Sequence, residues 1–338
     1  MKVVFQRFKK EVLIMVALLT LIAFAQLVSS VVNAQTLDTL VNMDIHNFFY
    51  KAICLVIIFA FYLLFTYMLI RYQAYFNQKV ATWLRDRIGH SIEATSYGRF
   101  YEKNSQTYIS WFTSDLEQIK GHAIDPTFDV IGGIISAVIS AVALFMYHWS
   151  IVLLAAICIV IMAVLPALFS AELTEKTIKV SEANEKFAKS ISDLLSGYDT
   201  LFVFRKLAYL RDKIHEKSVE VGDTHRDYSK TMAKVAVSGG IGNVFSQISV
   251  FILTGYLAYI GEVSIGSILA SMALSSTIFN VLGNISQKIG SIKSTNSLFK
   301  KYEQLEPASL VEEAPEVKPS TLIEVKDVSF NYGEKVIL

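Results

Sequence analysis

The amino-acid sequence predicts an all-α membrane protein in which six long transmembrane helices extend into the cytoplasm and a short β fragment follows at the C-terminus. Three observations lead to this fold class. Apolar residues make up 53% of the 338 residues and are concentrated in six blocks. Nearly all lysines and arginines lie on alternate connections between these blocks. The final residues alternate apolar and polar side chains, as a strand with one solvated face does.

Each apolar block is long enough to cross a bilayer. A hydrocarbon core about 30 Å thick requires about 20 apolar residues of helix. Lipid offers no hydrogen-bond partners, so each block must satisfy its own backbone as a helix. The first block exceeds the apolar core of a signal peptide, about 7–15 residues, and is therefore expected to be a retained span. The predicted spans are 11–33, 49–70, 128–147, 150–170, 236–260 and 264–286.

The distribution of positive charge predicts the orientation. All lysines and arginines except Lys51 lie in the first ten residues, in residues 71–127 and 171–234, or from residue 287 onward. Cytoplasmic connections of membrane proteins carry this excess of positive charge. We therefore expect a multi-pass protein of the cell membrane with both termini in the cytoplasm.

Composition argues against several other classes of partner or site. The net charge of +1 gives no reason to expect a nucleic-acid partner. Cys54 and Cys158 both lie inside apolar blocks, which indicates free thiols. The six histidines are scattered without ligand spacing, so no metal site is predicted.

The two long connections are predicted to be helical. Residues 71–100 contain no proline and continue the second span, so 49–100 is expected to form one helix about 78 Å long. In the second connection, an apolar stripe with alternating spacings of four and three residues is typical of a helix–helix seam. Its members are Phe187, Ile191, Leu194, Tyr198 and Leu201.

Three segments follow in order along the chain. Residues 1–303 form the six-helix domain, with cytoplasmic connections at 71–127 and 171–235. Residues 304–321 include three prolines among acidic and small residues and are predicted to be an extended linker. Residues 322–338 then begin a soluble β domain, with a turn at Asn331-Tyr332-Gly333.

This order of segments resembles the transmembrane half of an ABC exporter. Residues 100–106 and 109–119 are similar to the family's first coupling loop, which contacts the ATP-binding domain. The resemblance implies coupling roles for Gln106, Ser110, Trp111 and Asp115. Trp111 stands where the family often has arginine, and Gln106 where it often has glycine. A salt bridge from that arginine is therefore not expected.

Two further stretches carry the resemblance. Residues 191–204 look like the second coupling segment, with Asp193 in place of the more common glutamate and with Gly197 four residues later. Residues 328–332 are similar to the start of the ATP-binding domain. The resemblance implies that Tyr332 stacks on adenine, since an aromatic face suits any base. It implies ATP with Mg²⁺ as the cofactor of the full-length form.

No catalytic residue is predicted. The phosphate-loop pattern G-x-x-x-x-G-K-[ST] does not occur, so the 338 residues are not expected to hydrolyse ATP alone. The glycines at 239, 240 and 242 are interpreted as permitting close helix packing.

Polar side chains inside apolar spans are candidates for contact with cargo. They are Gln26, Asn243, Gln247 and Asn280, with Asn284 nearer a span end. Hydrogen bonding between helices is the competing interpretation. No span carries a central charged residue, so a neutral cavity for apolar or amphipathic cargo (lipid, drug or peptide) is the hypothesis.

The leading functional hypothesis is an exporter subunit that pairs with a second half-subunit, identical or different, in the lipid membrane. ATP binding would switch the cargo cavity by alternating access. The alternatives are a six-span channel or secondary carrier, disfavoured by the lack of intramembrane charge, and a truncated non-catalytic remnant. Reading the DNA beyond codon 338 would separate a complete exporter from a remnant.

Overall fold

The computed structural model of the chain describes residues 2–95, 97–101 and 103–295, together with the backbone of 331–332 and 335–336. The described residues include six helices that are long and apolar enough to cross a membrane. This confirms the predicted fold class. The linker predicted at 304–321 lies outside the described residues, as does most of 322–338.

Twelve α-helices, one π-helical turn and two short strands make up the described regular structure. Six helices form the first part of the chain: α1 (Lys2–Arg7), α2 (Lys9–Val41), α3 (Ile45–Glu93), α4 (Tyr97–Tyr101), α5 (Ser105–Phe112) and α6 (Ser114–Ile119). A π-helical turn (Lys120–Ile124) leads into the others: α7 (Asp125–Tyr147), α8 (Trp149–Ala167), α9 (Ser170–Ser196), α10 (Tyr198–Val203), α11 (Leu207–Tyr259) and α12 (Ser267–Ser294). Strands β1 (Asn331–Tyr332) and β2 (Lys335–Val336) pair antiparallel, with Asn331 opposite Val336.

Helix α3 has the length expected of a span that continues beyond the bilayer. Its 49 residues correspond to about 74 Å, more than twice the thickness of a bilayer core. The helix ends at Glu93, not near residue 100 as predicted. The N–H of Thr95 donates to the carbonyl of Ile92 at 3.0 Å, and this i→i−3 bond tightens and closes the last turn.

The start of α3 is fixed by Asp44. Its Oδ1 accepts the backbone N–H of Asn47 at 3.1 Å, and its Oδ2 accepts the Asn47 side-chain amide at 2.6 Å. This is the arrangement of a helix N-cap, in which a side chain satisfies a backbone donor of the first turn. The two bonds from Asn47 lower the pKa of the Asp44 carboxyl.

The chain divides into two compact units. The first comprises Met1–Asn77 and Gly121–Ser294, and the second includes Gln78–Lys120. The core of the first unit lies between α7, α8, α11 and α12. Its buried members include Leu144, Ile151, Cys158, Val250 and Phe279. Burial of this apolar surface and close packing hold the four helices together.

An aromatic and polar cluster attaches α3 within the first unit. Phe76 packs edge-on against Phe8 and against Phe128, with ring centroids 6.1 Å and 5.4 Å apart. One turn away, Oδ1 of Asp125 accepts the side-chain amides of Gln73 at 2.7 Å and Asn77 at 2.8 Å. Two charge-assisted bonds to one carboxylate therefore join α3 to the start of α7.

Candidate functional site

The first predicted coupling segment contains a short, well-capped helix. Asn104 precedes α5 and its side-chain oxygen accepts the backbone N–H of Thr107 at 2.9 Å and the Thr107 hydroxyl at 2.8 Å. Capping is needed because a helix of eight residues is too short to be stable by its own hydrogen bonds.

Aromatic packing anchors one face of α5 inside the second unit. Trp111 is 1% exposed, and its ring packs edge-on against Tyr108 with centroids 5.0 Å apart. Tyr108 stacks on Phe100 at 4.7 Å and donates its hydroxyl to the Phe100 carbonyl at 3.1 Å. The ammonium of Lys103 lies 5.1 Å from the centre of the Trp111 ring. The tryptophan therefore occupies the core of this segment.

The predicted coupling residues of the first segment fall into two groups by burial. Trp111 and Asp115 are buried. Gln106 is exposed and Ser110 is half-buried, with its hydroxyl donating to the Thr107 carbonyl at 2.8 Å. Ile109, which was not predicted to be a coupling residue, is 51% exposed on the outer face of α5. Gln106 and Ile109 are thus exposed and available to another protein surface.

The second predicted segment lies at the junction of α9 and α10. Gly197 ends α9, and its N–H donates to the Asp193 carbonyl at 3.1 Å. Its φ of −87° is accessible to any residue, and an added Cβ would meet only ordinary contacts at 3.6 Å or more. The backbone therefore does not require glycine at this position. Asp193 is exposed beside a cavity of about 300 Å³ that Phe187, Lys217 and Val221 also line.

An exposed apolar tip, Phe202-Val203-Phe204, follows Gly197. These side chains are 60%, 74% and 71% exposed. Arg205 adopts a left-handed φ of 54°, and the N–H of Lys206 donates to the Leu201 carbonyl at 2.8 Å, which turns the chain into α11. These residues lie within the predicted second coupling segment, 191–204, although only Asp193 and Gly197 were named there as coupling residues. A run of large apolar side chains exposed in a charged connection is itself a signal of an interaction site.

Helices α9 and α11 pack against each other, and the tip lies in the connection between them. The Glu172 carboxylate accepts hydrogen bonds from the Lys234 ammonium at 3.1 Å and from the Thr231 hydroxyl at 2.9 Å. The bond from Lys234, followed by that from Thr231, lowers the pKa of Glu172. Phe187, Ile191, Leu194 and Leu201 of the predicted stripe are half-buried, whereas Tyr198 is exposed.

Two of the four predicted cargo residues share one cavity. The asparagine groove, of about 590 Å³, lies between α8, α11 and α12 and is lined by Asn243, Asn280 and Asn284. Met162, Pro166 and Phe279 supply apolar walls. Gln26 and Gln247 are not among its lining residues. Gln26 instead donates to the Thr277 hydroxyl at 3.4 Å, which joins α2 to α12.

The polar side chains of the asparagine groove bond within their own helices. Gln247 donates to Asn243 Oδ1 at 2.6 Å, Asn280 to Ser276 Oγ at 3.2 Å, and Asn284 to the Asn280 carbonyl at 2.8 Å. Hydrogen bonding between helices, the competing interpretation, therefore applies to Gln26 among the predicted residues. The groove presents neutral amides beside apolar walls, which suits an uncharged or amphipathic molecule.

The predicted adenine platform, the side chain of Tyr332, lies outside the described residues. Only the backbone of Tyr332 is described, in β1. Its role therefore stays a prediction.

Comparison with known proteins places the chain in a family. Residues 12–282 match the family model described as "ABC transporter transmembrane region". The chain is also similar, at 23% identity over 276 residues, to a "Probable ABC transporter ATP-binding/permease protein" of Haemophilus influenzae. That match covers 78% of this chain and 49% of the relative, so the chain spans about half the length of that protein. Because the family model matches most of its length, the chain belongs to the ABC transporter transmembrane region family.

Proposed function

We propose that this chain is the transmembrane subunit of an ATP-driven exporter that moves an apolar or amphipathic cargo across the cell membrane by alternating access. The relative from Haemophilus influenzae is named as both ATP-binding and permease protein. Its name supports ATP as the energy source of the full-length form. Mg²⁺ is proposed to accompany the ATP. The cargo class rests on the neutral amides and apolar walls of the asparagine groove.

The single observation that carries the proposal is the exposed apolar tip Phe202-Val203-Phe204. The tip precedes α11, whose apolar span is predicted to begin at residue 236, about 44 Å along the helix. At that distance the tip faces water, where adjacent large apolar side chains favour a protein partner. An ATP-binding domain docked there can move α9 and α11 as one lever, because Glu172 joins them to each other.

The capped helix α5 is proposed as the second contact, through Gln106 and Ile109. Movement of an ATP-binding domain against α5 would pass through Trp111 to the rest of the segment, because a well-packed core resists deformation. Tyr332 is proposed to stack on adenine. Two such subunits are proposed to face each other, with all these contacts in the cytoplasm, as the positive charge of residues 71–127 and 171–234 supports.

The test begins with the reading frame beyond codon 338. If that frame encodes an ATP-binding domain, the continuous protein is purified, reconstituted into liposomes and assayed for ATP hydrolysis with and without amphiphilic compounds. We expect stimulated hydrolysis. The variant Phe202→Ser/Phe204→Ser should lose most of the stimulation, whereas the control Ile178→Ser, also exposed and on α9, should retain it.

Both variants should unfold at nearly the same temperature as the parent protein, because exposed side chains contribute little to stability, within about 0.5 kcal/mol. Full stimulated hydrolysis in the double variant would contradict docking at the tip. A stop codon with no ATP-binding domain in the frame would contradict the single-chain form of the proposal.

A further inference from the structure

A second groove, distinct from the asparagine groove, runs between α2 and α7. This α2–α7 groove has a volume of about 670 Å³, within the range of about 300–1,000 Å³ that holds a drug-sized ligand. Phe24, Leu27, Val31, Val138 and Val142 supply its apolar walls, which reach the predicted bilayer interior. No described residue lines both grooves.

The α2–α7 groove is polar at one end only. Gln35, Asp38, Tyr147 and Ser264 line that end. Gln35 and Asp38 lie beyond the predicted end of the first span at residue 33, and Tyr147 and Ser264 are terminal residues of predicted spans. Phe24 and Asp38 are 14 positions apart on the single helix α2, which corresponds to about 21 Å. The groove lining therefore changes from apolar to acidic over about 21 Å, a distance that one extended ligand molecule can span.

The charge at the polar end is negative. Within residues 2–95, 97–101 and 103–295, no lysine or arginine pairs with Asp38, and its Oδ1 accepts only the neutral N–H of Gly266. The sequence has no lysine or arginine at 11–50, 128–170 or 235–287. The connections near this end carry Asp44 and Glu262, with His46 and His148. Lys51, outside these segments, lies close enough to Asp44 to contribute to the lowered pKa of that carboxyl. Within these segments, a cation beside Asp38 meets no lysine or arginine of like charge.

We propose that the α2–α7 groove binds a single-chain amphiphile whose head group is a positively charged ammonium. The chain lies against Phe24, Val31 and Val142, and the ammonium pairs with Asp38 near the level of the membrane surface. An anionic head group is disfavoured, since like charges repel at this range. That this ligand is also cargo rests on the proposed exporter function; its binding to the groove does not.

The test uses the full 338-residue chain in phosphatidylcholine nanodiscs without ATP. The probe has a dodecyl chain with a diazirine at its end and a trimethylammonium head. A matched probe carries a phosphate head on the same chain. After illumination, mass spectrometry locates the labelled peptides. We expect the cationic probe to label 24–38 and 138–147 about three- to tenfold more than the anionic probe does, as one partly solvated ion pair allows.

Three variants define the contacts. Asp38→Asn keeps an oxygen that accepts the Gly266 N–H but removes the charge, and should abolish the preference for the cationic probe. Asp44→Asn, at a carboxylate outside the groove lining, should keep it. Val142→Trp should fill the groove and block labelling by the cationic probe while the Asp38 carboxylate stays intact. If Asp38→Asn fails to fold, the Val142→Trp variant alone tests whether the probe binds in the groove.

Equal labelling by both probes, an unchanged preference in Asp38→Asn, or labelling undiminished by Val142→Trp would overturn the proposal. Failure of the exporter proposal would leave the labelling result intact, because no ATP is used. Conversely, loss of the head-group preference would remove the groove as a cationic site and leave the exporter proposal standing.

Discussion

Asp38, near the end of α2, accepts the backbone N–H of Gly266 at 2.6 Å across 228 positions of the sequence. Gly266 immediately precedes α12, so this bond fixes where that helix begins relative to α2. A Cβ at position 266 would lie 1.9 Å from the carbonyl oxygen of Ala34, which is backbone and cannot rotate away. Glycine is therefore required here by close approach, not by its backbone conformation.

The variant Gly266→Ala is expected to destabilise the protein. Overpacking against backbone costs about 1–3 kcal/mol or more. The thermal unfolding midpoint in detergent should fall by several degrees. The control is Gly255→Ala in α11, where an added Cβ meets no atom within 4 Å and helix propensity favours alanine. Equal midpoints for Gly266→Ala and the parent would show that the close approach is absent.

Removal of the Trp111 side chain should loosen the first coupling segment. Truncation of a buried tryptophan to alanine costs about 3–5 kcal/mol, and the edge-on contact with Tyr108 is lost as well. Hydrogen exchange measured by mass spectrometry should show faster exchange of the amides of α5 and α6. The variant Ile109→Ala, on the exposed face of the same helix, should exchange as the parent does. Unchanged protection in Trp111→Ala would contradict the anchor role.

The double variant Asn243→Leu/Asn280→Leu tests the asparagine groove as a cargo site. The amides of these residues bond within their own helices, so leucine should leave the thermal stability nearly unchanged. Binding or transport of amphipathic cargo should fall about tenfold, as for the loss of one or two hydrogen bonds at about 1 kcal/mol each. Gln26→Leu, outside the groove, is the control. Transport unchanged by the double variant would count against this groove.

Acid should weaken the contact between α9 and α11. Hydrogen bonds from Lys234 and Thr231 lower the pKa of Glu172 below its ordinary value of 4.5. A lowered carboxyl pKa contributes stability that is present above 4.5 and is lost as the pH falls through the folded-state value. Because the carboxylate is solvated, the effect is small.

The measurement for Glu172 is the unfolding midpoint as a function of pH below 4.5. Glu172→Gln should have a flatter profile there than the parent, whereas Glu185→Gln, an exposed control on the same helix, should follow the parent. A Glu172→Gln profile parallel to that of the parent would show that this carboxylate does not join the helices.

Apolar block length alone determined that this chain is helical and crosses a membrane, because a backbone in lipid has no other way to satisfy its hydrogen bonds. The absence of proline in residues 71–100 also indicated that α3 continues past the bilayer. The end of α3 at Glu93 was not predicted. The tight turn there depends on the backbone hydrogen bond from Thr95 to Ile92, and no residue type in this segment indicates such a bond.

Tertiary structure decided which candidate residues can act, because exposure and proximity depend on packing between segments far apart in sequence. Trp111 and Asp115 share a motif with Gln106, yet packing buries the first two and exposes the third. Asn243 and Asn280 line one groove, while Gln26 bonds to Thr277 elsewhere. The α2–α7 groove and the position of Asp38 at its end could not be predicted from the sequence. Its walls come from helices about a hundred residues apart in the chain that meet only when the bundle packs.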